Sequence, residues 1–459
     1  MMTREEVIQE ATEKYDEAYS RRTPKSRAAL FEAAKVLPGG DSRTATFFYP
    51  HPIFLAGGNG CYVRDLDGND YIDFHNCYTA LVHGHCYTPV LEAIKEVVNT
   101  IASGVGAPTT LITEWATTLC RRVDSLEKIR FCNSGTEAAM MAIRTARAYT
   151  RRDKILKIEG GYNGAFDAVV HPPDALGLTK SIQAEQLTVP FNDADAAERI
   201  ICDNKDDLAC MIVEGMMGAA GQIPPKEGYL EHLRNVTREN GVLLVLDEVM
   251  CFRIDYGGIQ RIHGIKPDLT MFGKIIGGGF PVGAWGGRED IMQLLDPLKG
   301  RTLVQTKAGT PAVAQIYHGG TFNANPVVAN AGRIMLEKFT PEEVAKINKL
   351  GESLAVGIRN VFARLKIKGQ VTGIGSLQNL HFTPERVVDY KTAQTSQLQL
   401  MHMVHLGLLQ RGIFLPARGL FALSTPMTEK EINVVVKAMD DIMTELKPLI
   451  EQVWPELME

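Results

Sequence analysis

The chain has 459 residues, 45% of them hydrophobic and 22% charged, with 42 glycines: a soluble globular composition, too long for a single core. Its 49 basic residues against 54 acidic ones leave a net charge of −5 with no long basic block, which argues against nucleic-acid binding. The charged start MMTREEVIQEATEKYDEAYS lacks the apolar stretch of a secretory signal, no run of about 18 apolar residues suggests a membrane span, and the 8 cysteines form no C-x-x-C pair, so a cytoplasmic protein with reduced thiols and no metal site is expected.

In chain order, residues 1–37 read as amphipathic helix and stop at the PGG of 38–40. CYVRDLDGNDYIDF (61–74) alternates around a DGN turn and reads as a hairpin. From about residue 85 the pattern changes. KIRFCNSG (128–135) is a strand that runs into the helix TEAAMMAIRTARAYTRR. KILKIEGGY (154–162), ACMIVEG (209–215), VLLVLDEV (242–249) and DLTMFGK (268–274) repeat the theme of a short apolar run ending in a polar or glycine-rich turn. This alternation predicts an α/β fold around a mostly parallel sheet. After GGTFNANP (319–326) helices over about 327–365 precede short strands near 371–382 and 412–424. A last helix starts near 428. This part reads as a smaller α+β domain. The expected division is an N-terminal helical segment and hairpin (1–70), a large domain (71–325) and a small C-terminal domain (326–459).

In open α/β sheets ligands sit beyond the carboxyl ends of the strands, so the polar residues there are the candidates. Ser134, Gly135 and Thr136 lie where a strand becomes a helix, and free N–H groups with the helix dipole make such a place an anion site. Simple N-capping by Ser134 or Thr136 is the competing reading. Tyr162, in the glycine-rich loop EGGYNGAFD (159–167), can stack on a flat ring or pack on the core. Asp247 ends a buried apolar strand, and a carboxylate there wants a cation or several donors. A protonated ring nitrogen would serve, as would a capping role or a pairing with Arg253. Lys274 ends another apolar strand before a run of glycines. A lysine amine made neutral by burial is a nucleophile for carbonyls, whereas a lysine at a strand edge can simply reach solvent. Together a phosphate cradle, a stacking aromatic, a carboxylate for a ring nitrogen and a Schiff-base lysine are the fittings for pyridoxal 5′-phosphate.

The ordered motifs PGG, NSGTEA, GGYNG, LDEVM, GKIIGGGFPVGAWGG and GGTFNANP resemble the class III aminotransferases of PLP fold type I, which include the glutamate-1-semialdehyde aminomutases. The resemblance spans residues from about 36 to about 440. PGGDSRTATFFYPHP (38–52), GIGSLQNLHF (373–382) and ARGLFALSTPMT (417–428) bring it nearest to the β-amino acid (β-phenylalanine) aminotransferases. It implies a central sheet of the seven-stranded type with helices on both faces, and a smaller domain formed by the C-terminus with the N-terminal segment. It also implies that Lys274 binds the cofactor and shuttles the proton, Asp247 holds the pyridinium nitrogen, and Val249 and Tyr162 cover the two ring faces. Ser134, Gly135 and Thr136 would bind the phosphate, joined by Thr321 from the second subunit of a homodimer. Arg43 and Arg418 match the arginines that take substrate carboxylates.

By that resemblance the activity is ping-pong transfer of an amino group from a β-amino acid or related amine to a keto acid, 2-oxoglutarate or pyruvate. The alternatives are an aminomutase, an amino-acid racemase, or an amine transaminase that needs no substrate carboxylate. A catalytically silent or nucleotide-phosphate-binding module would have to explain Lys274 and Asp247 as accidents. The chain departs from the pattern at Asn163, where the family's tyrosine is usually followed by His, at Gly215, where Pro is usual, and at Cys77, where relatives often have Glu. A long segment at 300–317 is a further departure.

Overall fold

The computed structural model describes residues 2–170, 176–297 and 315–459, so most of the 300–317 departure lies outside the described residues. The chain divides into two compact units. The larger comprises Thr88–Ala220 and Pro224–Val344, the smaller Met1–Tyr87, Gly221–Ile223 and Ala345–Glu459.

The larger unit is built on seven strands: β1 (Lys128–Cys132), β2 (Lys154–Ile158), β3 (Gln186–Val189), β4 (Leu208–Glu214), β5 (Leu243–Asp247), β6 (Leu269–Gly273) and β7 (Gly283–Gly287). Their order across the sheet is β1-β7-β6-β5-β4-β2-β3. The pairings β5–β6, β4–β5, β2–β4 and β2–β3 are parallel, and β7 runs antiparallel to both of its neighbours. Every residue of β4, β5 and β6 is buried. That is why their sequences are near-continuous apolar runs, as a sheet covered on both faces requires. The expected seven-stranded, mostly parallel sheet is therefore present.

Strand β7, GAWGG, has no apolar alternation to announce it. Its glycines answer a steric demand instead. A Cβ at Gly283 would lie 1.9 Å from the Ser134 carbonyl oxygen, and one at Gly286 would lie 2.2 Å from that of Lys128. The helix Gly135–Thr150 packs its small residues Ala138, Ala139, Ala142 and Ala146 into the core of this unit, beside Cys210, Ile212, Val245 and Met271.

In the smaller unit the N-terminal segment is two helices, Arg4–Arg22 and Pro24–Ala33, rather than one. Pro24 lacks the N–H a continuing helix needs and instead starts the second. The 61–74 hairpin is present as Tyr62–Asp65 paired antiparallel with Asp70–Asp73. It belongs to a four-stranded sheet completed by Leu55–Asn59 and the short strand Ile413–Phe414. A second sheet joins Gly369–Ile374, Leu377–Phe382 and Leu420–Ala422. The last long helix, Glu429–Val453, opens with a capping box between Thr428 and Glu431. Among the described residues no helix is long and apolar enough to cross a membrane. All eight cysteine thiols are free.

Candidate active site

Three strand ends in the larger unit carry the acids and the lysine. Glu214 ends β4, Asp247 ends β5, and the two are direct register partners. Asp247 in turn pairs with Met271, three positions before Lys274. Asp247 is 4% exposed. Its Oδ2 accepts from Asn163 Nδ2 at 2.9 Å and its Oδ1 from the Val249 N–H at 2.9 Å. Burial pushes its carboxyl above the usual carboxylate range, against the opposing pull of those two donors and of the Lys274 charge. Burial, and then the Asp247 carboxylate, push Glu214 up to about 7. Glu214 accepts from Tyr162 N at 3.3 Å and from Gly218 N at 2.9 Å.

The neighbouring acid has a different task. Glu248 is fully buried and accepts from Ile259 N and Gln260 N, both at 3.1 Å, so it caps the short helix Ile259–Ile262. The capping duty that Asp247 could have held thus falls to its neighbour. Asp247 is left with two donors on a carboxylate that can accept more.

Lys274 follows the last residue of β6 and opens a single 3₁₀ turn, Lys274–Gly277. Its φ is +48°, a left-handed conformation that few side chains adopt unless the surroundings impose it. The turn is pinned from behind. Trp115 donates its indole N–H to the Ile276 carbonyl at 3.1 Å and stacks on Phe131 with 3.9 Å between ring centroids. The helix Pro326–Lys338 approaches the same carbonyl so closely that a Cβ at Gly332 would lie 2.1 Å from it.

Ser134 caps the helix Gly135–Thr150, its Oγ accepting from Glu137 N at 3.1 Å. The capping reading and the anion reading coexist, because the N–H groups of Gly135 and Thr136 belong to the first turn and have no acceptor within the helix. Thr136 Oγ1 accepts from Ala165 N at 3.2 Å. A Cβ at Gly164 would lie 2.8 Å from Thr136 Cα, so the Tyr162 loop can lie over the helix start because it carries glycine there. The Tyr162 side chain is 60% exposed. It has not packed on the core, so its ring remains available to a flat ligand. Val249, partly buried, lies against Gly135 and Gly273. Thr321 is exposed in a turn tied back to this region by Asn323, whose Oδ1 accepts from Asn133 Nδ2 at 2.8 Å.

These residues fit pyridoxal 5′-phosphate. A buried carboxylate with unused acceptor capacity suits a protonated ring nitrogen, the helix start suits a phosphate, and Lys274 lies close enough to both carboxyls to lower their pKa. Two members were not assigned from sequence. Glu214 ends an apolar run just as Asp247 does, so the same argument could have found it. Asn163 was noted as a departure, but its bond to Asp247 depends on the fold of the loop.

Arg43 and Arg418 lie in the smaller unit, 375 positions apart in sequence, yet both act on the same pair of rings. Burial lowers His75 to about 4 against the pull of Asp73, and the charges of Arg43 and Arg418 lower it further. The Arg418 guanidinium carbon lies 5.9 Å from the Tyr78 ring centroid. Both arginine residues are exposed.

A family model described as "Aminotransferase class-III" matches residues 47–419. A glutamate-1-semialdehyde 2,1-aminomutase of Methanothermobacter thermautotrophicus is 39% identical over 434 residues, covering 92% of this chain and all of that one. Among solved structures, an omega-transaminase from Sphaerobacter thermophilus is 37% identical with a TM-score of 0.85, over 91% of this chain and 97% of that one. A β-phenylalanine aminotransferase from Variovorax paradoxus is 33% identical with a TM-score of 0.89, over 96% and 99%.

Proposed function

Because the chain belongs to the class-III aminotransferases, enzymes that depend on pyridoxal 5′-phosphate, we propose that it moves an amino group from a β-amino acid or related amine to 2-oxoglutarate or pyruvate by a ping-pong reaction. The observation that most supports the chemical half of this reading is the grouping of Lys274, Asp247 and the Ser134–Thr136 helix start at the strand ends of one unit. The substrate half is supported by the convergence of Arg43 and Arg418 on His75 and Tyr78.

When bound, the cofactor supplies a carbonyl that takes up the amine and a protonated ring that draws electrons from the carbon bearing it. Asp247 holds the proton on the ring nitrogen, and Asn163 and the Val249 N–H fix the orientation of its carboxylate. Ser134, Gly135 and Thr136 would bind the phosphate through the N–H groups of the helix start, with the hydroxyls of Ser134 and Thr136 beside them. Tyr162 and Val249 would cover the two faces of the ring. Lys274 would hold the cofactor, and its Nζ would move the proton to and from the amine-bearing carbon of the substrate. Arg418 takes the α-carboxylate of the keto acid and Arg43 the carboxylate of the β-substrate. These carboxylates stand at different distances from the reacting carbon, so one fixed fork could not serve both.

A panel of α-, β- and ω-amino donors, followed by keto-acid consumption, tests this reading. Arg418→Ala should weaken keto-acid turnover by about ten- to hundredfold and Arg43→Ala should act mainly on the β-amino acid, each measured in its own half-reaction. If both variants handle both carboxylates like wild type while uncharged amines are good donors, the enzyme is an amine transaminase.

The second reading is an aminomutase or amino-acid racemase, favoured by the 39% identity to a glutamate-1-semialdehyde 2,1-aminomutase. Its signature is turnover without any keto-acid co-substrate. A homodimer with shared sites belongs to both readings: Thr321 would reach the phosphate of the neighbouring subunit. Light scattering at assay concentration should give twice the chain mass, and an active monomer contradicts it.

A further inference from the structure

After Asp73 the backbone takes a course that neither strand nor right-handed helix provides. Asn76, Cys77, Tyr78 and Thr79 have φ of 46°, 50°, 52° and 76°. Single left-handed residues are ordinary. Four in succession without a glycine are not, because each crowds its Cβ against the following carbonyl. The turn is imposed from outside. Asp73 Oδ1 accepts from His75 N at 2.8 Å and from Asn76 N at 2.9 Å, and Asn76 Nδ2 donates to the Ala422 carbonyl at 2.5 Å. Backbone outliers that the surroundings over-determine in this way gather at functional sites.

The turn sets the Tyr78 ring edge-on against His75, with 4.2 Å between centroids, and Tyr78 N donates to His75 Nδ1 at 3.1 Å. His75 is itself stacked on Phe414 at 5.1 Å with an interplanar angle of 4°. From this base Tyr78 makes two outward contacts. Its hydroxyl donates to the Ala45 carbonyl, in the turn Thr44–Thr46 that directly follows Arg43. Its ring lies 5.9 Å from the Arg418 guanidinium carbon, within the range of a cation–π contact.

We propose that Tyr78 is a positioning residue that fixes the spacing of Arg43 and Arg418 and thereby favours substrates that carry a carboxylate. This rests on the carboxylate reading given above. The Arg43 turn has its own internal ties, since Thr46 Oγ1 donates to the Asp41 carboxylate and lies 2.6 Å from the Arg43 carbonyl. The Tyr78 hydroxyl anchors that turn to a segment 33 positions later in the chain. The Arg418 loop is anchored by Asn379, whose Nδ2 donates to the Arg418 carbonyl at 3.2 Å. The Arg418 guanidinium and the turn that carries Arg43 are thus both held to a phenol, which does not compete for an anion. Two like charges held together by uncharged rings make a receptor whose selectivity depends on the distance between its forks.

The test uses the holoenzyme and two variants. Tyr78→Phe keeps the ring and removes the tie to Ala45, and Tyr78→Leu removes both contacts. The readout is the kcat/KM of a β-amino acid divided by that of the same amine lacking its carboxylate, with calorimetric binding of unreactive 3-phenylpropanoate as a second measure. Tyr78→Phe should lower the ratio about tenfold, mainly through KM, and weaken 3-phenylpropanoate alike. Tyr78→Leu should lower it further. A variant that merely loosened the fold would slow both substrates together and leave the ratio at its wild-type value, which overturns the proposal. Arg43→Ala and Arg418→Ala run in parallel. If they lower the ratio and the Tyr78 variants do not, the role of Tyr78 alone is wrong. If none of the four lowers it, the carboxylate reading fails and takes this proposal with it.

Discussion

Lys274→Ala should fold, retain pyridoxal 5′-phosphate and lose amino transfer by about 10⁴-fold or more, the scale of removing a proton-transfer group together with covalent attachment. Folding should survive because Lys274 follows β6 in a turn and is only partly buried, and that turn is held by Trp115 and by the close approach of Gly332. Cofactor should remain because the helix start at Ser134–Thr136 and the Asp247 carboxylate are untouched. Retention is read by absorbance after gel filtration, and transfer by keto-acid consumption. A variant with a tenth of wild-type activity would remove Lys274 from the chemistry.

Asp247→Asn should reduce turnover by about 10²- to 10³-fold, the usual cost of removing a preorganised charge aimed at the reacting system. Its effect on stability should have opposite signs with and without cofactor. In the apoprotein Asp247 and Glu214 are buried carboxyls on adjacent strand ends, and both are pushed above their ordinary pKa, first of all by burial. A carboxyl whose folded pKa is raised binds protons more tightly in the folded than in the unfolded state. It therefore lowers stability as pH climbs from the ordinary carboxylate range through its folded value, about 7 for Glu214. Replacing Asp247 by an amide of the same shape removes one of these charges and relieves the other. Apo Asp247→Asn should melt above apo wild type at pH 7.5, and the two should draw together near pH 5. With cofactor present the order should reverse, because the ring nitrogen then lacks its counter-charge. Scanning calorimetry of both forms at both pH values checks this. A variant that is less stable in both forms and turns over normally would make Asp247 a structural residue.

Legibility in the sequence followed from how local each cause was. The strands that end in Glu214 and Asp247, and the one that Lys274 follows, are short apolar runs buried along their whole length, and such runs announce themselves. Strand β7 does not, because GAWGG was selected by the close approach of the Ser134 and Lys128 carbonyls, a demand that exists only once the sheet has formed. The strand-to-helix junction at Ser134, proposed as the anion site, was readable from the sequence. The capping by Glu248 was not, since it depends on where Ile259 and Gln260 return in space. Arg43 and Arg418 could be named through family resemblance but not paired, and Tyr78 carried no signal at all. The role proposed for it rests on four consecutive left-handed residues that no local pattern in HNCYT foretells.

Lys274 is the residue proposed to bind the cofactor covalently. Borohydride reduction of the holoenzyme, followed by proteolysis and mass-spectrometric peptide mapping, tests it most directly. The expected result is a pyridoxyl group on Lys274 Nζ, in the peptide that spans the end of β6 and the glycine-rich turn, with the label lost in Lys274→Ala. A label on any other lysine, Lys157 of β2 included, would contradict it.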